Sequence, residues 1–150
     1  MPARVFDAHL HIIDPAHPLV ENNGYLPDPF DVAAYRARIS DLGVAGGAVV
    51  SGSFQAFDQG YLLEALQALG PSYVGVTQLP ETVSDEEILR LDAAGVRAVR
   101  FNVQRGGSAS LTSLDTLARR VHDVAGWHSE LYIDARALEE ISDLVCALPS

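Results

Sequence analysis

Asp7, His9 and His11 stand at every second position of Val5-Phe6-Asp7-Ala8-His9-Leu10-His11-Ile12, a stretch whose other residues are apolar and read as a short buried strand. Side chains at i, i+2 and i+4 of a strand share one face. The spacing therefore predicts that all three point the same way, with two imidazoles within reach of one ligand. Neutral imidazoles bind a divalent metal or polarise a carbonyl oxygen by hydrogen bonding, and the spacing leaves both open. A catalytic zinc usually takes three protein ligands, and the sequence offers no convincing third. His17 falls in a loop, His122 in a helical stretch and His128 ahead of a strand. Arg100, inside the apolar run Val99-Arg100-Phe101, must pair with a carboxylate or face a site that binds one. Arg105 lies just beyond and offers a second guanidinium, while Arg97, at the start of the run, is expected in solvent. Two arginines near a histidine pair point to an anionic substrate, a carboxylate, which Arg engages at two points. Ser53, Tyr25 and Tyr132 are supporting candidates, although turn chemistry or packing explains each of them more readily when it is taken alone. No Gly-x-Ser-x-Gly is present, so a serine-triad hydrolase is not indicated.

These residues have to be positioned by an alternation of short strands and helices. After the first strand a proline-punctuated loop runs from Asp14 through Asn22-Asn23-Gly24 to Pro29; such long connections are often functional. Asp31 can cap a helix to about Leu42, with Gly43 as its stop. Gly47–Ser51 reads as a buried strand, followed by a helix from Asp58 with Leu62, Leu63, Leu66 and Leu69 on one stripe. Tyr73–Leu79 is a third strand, and Ser84 with Glu87 forms a capping box for the helix that follows. A strand over Ala98–Val103, a helix from about Ser113 to Ala125, a strand over Glu130–Asp134 and a helix from about Ala137 to Ala147 complete the pattern. Cys146, in the last of these, is expected in the core. Five alternating units imply parallel βαβ connections. An open dinucleotide-binding sheet has little support without a Gly-x-Gly-x-x-Gly after the first strand. Polar residues at the carboxyl ends of several strands instead favour a parallel (β/α)8 TIM barrel, whose chemistry gathers at that end. Such a barrel takes about 250 residues, so 150 residues supply about five βα units, a single domain over 1–150 with the natural chain expected to continue.

The composition, 48% hydrophobic and 20% charged, suits a globular domain with a real core. A net charge of −10 argues against nucleic acid or an anionic membrane as partner. No apolar run of membrane-spanning length exists, and the first residues do not read as a signal peptide. One cysteine suits a reducing, cytoplasmic setting. Small-molecule chemistry is the remaining expectation, with homo-oligomerisation left open.

Asp7-Ala8-His9-Leu10-His11, Tyr25-Leu26-Pro27, Arg97-Ala98-Val99-Arg100-Phe101-Asn102 and Gly126-Trp127-His128 ahead of Leu131-Tyr132 resemble the amidohydrolase superfamily, and within it the 2-pyrone-4,6-dicarboxylate lactonase-like branch. The likeness covers the whole chain and about the first half of such a protein. It implies a (β/α)8 barrel and hydrolysis of a carboxylate-bearing lactone or similar cyclic ester or amide. His9 and His11 would be the catalytic pair, and Tyr25, Ser53, Arg100 and Tyr132 would bind substrate. Arg105 is the approximate counterpart, displaced by one residue, of a further arginine. The resemblance also implies a histidine after the sixth strand and an aspartate after the eighth that activates water, both past Ser150. The cofactor is none, or one divalent metal, zinc, on His9 and His11. Two alternatives stand beside this: a zinc-dependent hydrolase or decarboxylase, and an inactive half-barrel serving as a binding or assembly module.

Overall fold

The computed structural model describes residues 4–22 and 24–149. Five strands, β1 (Val5–Leu10), β2 (Val44–Val50), β3 (Tyr73–Thr77), β4 (Val96–Phe101) and β5 (His128–Leu131), alternate with α1 (Val32–Ile39), α2 (Gly60–Leu69), α3 (Asp85–Ala93), α4 (Leu114–Ala125) and α5 (Leu138–Cys146). All pairings are parallel and the strand order is β1-β2-β3-β4-β5. Right-handed crossovers that always add the next strand on the same side leave every helix on one face. A doubly wound sheet would reverse its order at a switch point, and none is present among the described residues. The chain thus forms five consecutive units of a (β/α)8 barrel.

The two faces of the sheet differ in size of side chain. Leu10, Val49, Val99 and Phe101 join Leu62, Ile88, Leu91, Leu117 and Val121 in the large core between sheet and helices. On the other face Ala48, Val50, Val76 and Ala98 form a smaller, narrower cluster, as the inside of a barrel requires. Helix starts are specified locally. Asp31 accepts from the Ala34 amide at 2.8 Å and Ser84 from the Glu87 amide at 3.2 Å. The reciprocal half of the expected capping box is not made, because the Glu87 carboxylate binds Arg90 instead. Trp127, buried ahead of β5, donates from Nε1 to the Asp92 carboxylate at 2.9 Å and so fixes the lead-in to β5 against α3.

Four expectations are corrected. Val5 and Phe6 are exposed, Phe6 at 55%, because β1 is an edge strand whose start no helix covers. Asp7 does not share a face with His9 and His11. Between Asp7 and Leu10 the β1–β2 register slips, three steps on β1 opposing two on β2, as in a bulge. Asp7 therefore turns to the helix side, where its carboxylate accepts from the Tyr35 hydroxyl at 3.1 Å. Burial raises the pKa of that hydroxyl above its ordinary value. Strand β5 begins at His128 and ends at Leu131, two or three residues earlier than expected. Cys146 is exposed, since α5 packs along Leu144 and leaves the cysteine outward.

Gly46 shows how tightly β2 is hemmed in. A Cβ there would lie 2.3 Å from the Ser72 carbonyl oxygen, a main-chain atom that cannot rotate away. Gly46→Ala is expected to destabilise the fold by about 1–3 kcal/mol, the cost of forcing an extra carbon into a packed interior. The check is a lower urea midpoint at unchanged slope.

Candidate functional site

On the inner face of the sheet, polar groups gather near the carboxyl ends of the strands. There His9, His11, Ser53, Arg100, Arg105 and Tyr132 line one cavity of about 490 Å³, together with Gly52, Phe54, Asn102 and Glu130. The expected loop contribution, Tyr25, stands beside it and not within it. Its ring is 49% exposed and lines an adjoining recess with Asn22 and Gln104, joined to the cavity through Ser53 and Arg105. The loop that carries Tyr25 is tied down at several points. Ile13 and Phe30 pair at its base, Val20 donates to the Phe54 carbonyl at 2.7 Å, and the Asn22 amide donates to the Arg105 carbonyl at 2.6 Å. Arg105 in turn lies over the Tyr25 ring, 5.8 Å from its centroid. Gly107, at φ +77°, lets this β4 loop approach the Ser53 main chain, where a Cβ would come within 2.7 Å of the carbonyl oxygen.

The two histidines meet edge to face, ring centroids 5.0 Å apart. His11 follows β1, and its Nδ1 lies 2.6 Å from the Val50 carbonyl oxygen. A carbonyl only accepts, so Nδ1 carries the hydrogen and, in the neutral ring, Nε2 is a bare lone pair. Burial is the main reason that the His11 pKa falls below its ordinary 6.5; the Val50 bond opposes this, and His9, Arg100 and Arg105 add to it. His11 is thus held neutral, an acceptor and not a donor at its free nitrogen. His9 Nε2 lies 3.5 Å from Arg100 Nη1. A guanidinium only donates, so His9 accepts there and Nδ1–H is the ring's donor.

Arg100 is 5% exposed and projects from β4 into the cavity. Its Nη1 donates to the Ser51 carbonyl at 3.2 Å, and the guanidinium lies 5.3 Å from the centroid of the Tyr132 ring. Ser51 is itself clamped, its hydroxyl 2.5 Å from that of Tyr61, whose pKa burial pushes up. The sequence reading missed Glu130. Strand register pairs Arg100 with Glu130, and Oε1 of Glu130 is 3.2 Å from Arg100 Nε. That contact is an ion pair and not an aligned hydrogen bond, since Nε has no partner in hydrogen-bond geometry. Burial lowers the Arg100 pKa, and Glu130 is the main opposing influence. Asn102 was also missed. It is 2% exposed and its Oδ1 has no hydrogen-bond partner among the described residues. Both were legible in principle, two residues after Arg100 and two before Tyr132, on the inner face. A larger recess of about 760 Å³ lies between α2 and α3, but its arginines, Arg90 and Arg97, are already paired with Glu87 and Asp92.

For a metal, His9 and His11 are the nitrogen donors of this cavity. Arg100 holds a fixed positive charge against His9 Nε2, where that nitrogen would ligate. Among the described residues the one group of three His, Cys, Asp or Glu ligand atoms within 4.8 Å of one another is Asp14, His17 and Glu64, outside the cavity. The donor set in the cavity does not by itself fit a catalytic zinc. No helix among the described residues is long and apolar enough to cross a membrane.

Comparison with known proteins agrees with this fold. The chain is 32% identical over its whole length to a 2-pyrone-4,6-dicarboxylate hydrolase of Comamonas testosteroni, matching 50% of that protein. It is 26% identical over 91% of its length to a D-galactarolactone isomerase of Agrobacterium fabrum, matching 47% of it. The chain spans about half the length of these curated relatives. Among solved structures, an apo protein of Agrobacterium tumefaciens superposes with a TM-score of 0.87 at 23% identity, over 99% of this chain and 56% of that one. A probable 2-pyrone-4,6-dicarboxylic acid hydrolase of Acinetobacter baumannii, solved with citric acid bound, gives 0.83 at 21% identity, over 97% and 55%. These two likenesses establish the barrel fold. A family model described as amidohydrolase matches residues 6–150, and the chain belongs to that family.

Proposed function

We propose that the protein opens a carboxylate-bearing lactone, or a similar cyclic ester or amide, by hydrolysis. The observation that carries this is the convergence of His9, His11 and Arg100 on one cavity, with Arg100 Nη1 3.5 Å from His9 Nε2. Lactones that carry carboxylates are the compounds named for both curated relatives. Arg100, with Arg105, would hold the substrate carboxylate, and Ser53, Tyr132 and, from the adjoining recess, Tyr25 would line its binding surface. His9, donating from Nδ1, would polarise the lactone carbonyl and meet the developing oxyanion. His11, with a bare Nε2, would orient water by accepting its hydrogen. Water adds to the carbonyl carbon, the acyl carbon–oxygen bond breaks, and the ring oxygen leaves as a hydroxyl. The proton released by water goes to the aspartate that the family resemblance implies, which passes it on to the departing ring oxygen. With a hydroxyl of the substrate in place of water, the same groups would move the lactone to another position, the isomerase variant of this chemistry. The single cysteine suits a cytoplasmic setting for such an enzyme.

The test is acid release from a carboxylate-bearing lactone at constant pH, using the protein at its natural length before and after exhaustive chelation. Turnover that survives chelation is the expected result. Stoichiometric zinc, with activity lost to the chelator, would replace this reading by the zinc-dependent one. Absence of turnover with any lactone would leave a binding or assembly module.

A further inference from the structure

Glu130 and Asn102 give the cavity a chemistry that binding of a carboxylate does not use. Glu130 stands on β5 directly beside Arg100 in the strand register. Its carboxylate approaches Arg100 Nε to 3.2 Å without forming an aligned hydrogen bond. An ionised carboxylate only accepts and has about four lone-pair sites, so most of this capacity is open to a ligand. Asn102 Oδ1 is a second acceptor, buried and without a partner among the described residues. A buried polar atom in that condition is costly until something donates to it. Two acceptors, one just past the end of β4 and one on β5, therefore await donors. A ligand hydroxyl supplies one, whereas an ionised ligand carboxylate has none and is repelled by Glu130.

The positive charge agrees. Arg100 already faces one carboxylate, and among the described residues no acidic side chain pairs with Arg105. With Glu130 set against them, Arg100 and Arg105 together leave one net positive charge in the cavity, which matches one substrate carboxylate. Resting on the lactone reading above, we propose that the cavity selects a hydroxylated lactone with a single carboxylate over a planar lactone dicarboxylate. Glu130 sets this preference and Asn102 supports it.

The experiment is a competition binding measurement on the protein at its natural length, with D-galactarolactone and 2-pyrone-4,6-dicarboxylate as probes. The wild type is expected to bind the hydroxylated lactone at least about tenfold more tightly, since each charged or buried hydrogen bond gained or lost is worth about that factor. Glu130→Gln removes the repulsion while keeping the shape, and should shift the ratio towards the dicarboxylate by about tenfold. Asn102→Leu should weaken only the hydroxylated probe, and it carries the same test should Glu130→Gln fail to fold. A wild type that prefers the dicarboxylate, or a ratio unmoved by these substitutions, overturns the assignment and leaves the lactone reading standing. Binding of neither probe overturns the lactone reading itself.

Discussion

Arg100→Ala is expected to lower kcat/KM on a carboxylate-bearing lactone by about 10²–10³-fold, with KM raised as well as kcat reduced. Truncating one member of a buried charge pair typically costs about 2–5 kcal/mol, about 30- to 5,000-fold, and the expected fall lies inside that span. Arg100 meets three things at once: the Ser51 carbonyl, the lone pair of His9 and the Glu130 carboxylate. Its loss would free the His9 ring and leave Glu130 facing the substrate carboxylate without a counter-charge. Arg100→Lys should recover little, because an ammonium is a point charge that cannot span these partners in one plane. The same substitution should also destabilise the fold by about 1–3 kcal/mol by stranding Glu130. The double variant Arg100→Ala, Glu130→Gln separates the two effects. Urea denaturation should show much of the stability restored, while kcat/KM stays low. A double variant that regained activity would remove Arg100 from substrate binding.

His11→Asn is the second large effect, a fall in kcat of about 10²–10³-fold, the usual cost of losing one preorganised hydrogen-bonding group at the reacting centre. Asparagine can keep a donor towards the Val50 carbonyl, in place of Nδ1, but supplies no lone pair in place of Nε2. Activity should therefore collapse while the fold persists. Stability against pH identifies the ring independently of turnover. Burial holds the folded His11 pKa below its ordinary 6.5. As pH falls through that ordinary value, the unfolded chain takes up a proton that the folded chain refuses. The folded state then loses up to about 1.4 kcal/mol per pH unit until the lowered folded pKa is reached. Wild type minus His11→Asn, measured by urea denaturation at pH 7.5 and at lower pH, should show this loss in the wild type alone. Parallel pH profiles would mean that His11 is as freely protonated in the folded protein as in the unfolded one.

The alternation of strand and helix was legible because each apolar run is bounded by its own local stop, such as Gly43, Gly70-Pro71 and Gly126. The family resemblance was legible in Arg100-Phe101-Asn102 and in Gly126-Trp127-His128, and the structure gives the tryptophan a reason, its bond to Asp92. What could not be read was anything that depends on register. A period of two puts Asp7 with the histidines, and only pairing with β2 reveals the slip that turns it to Tyr35. Arg100 was correctly seen as needing a carboxylate, but the partner that answers it, Glu130, lies 30 residues on and adjacent only through the β4–β5 ladder. Tyr25 is expected from its loop to bind substrate, yet loop length does not tell which of two recesses a side chain lines.

The two residues on which the proposed reaction most depends are both moored to consecutive main-chain carbonyls, His11 to that of Val50 and Arg100 to that of Ser51. Every amino acid supplies a carbonyl, so these moorings are indifferent to which side chains occupy positions 50 and 51. Val50 and Ser51 are buried, Ser51 against the Tyr61 hydroxyl, so a substitution there acts on the aim of the imidazole and the guanidinium only through the path of the strand. Diversification can then proceed at Glu130, Asn102 and the loop over Tyr25 while the reacting pair stays in place. A descendant with a new substrate would need changes only around a frame that heredity cannot easily disturb.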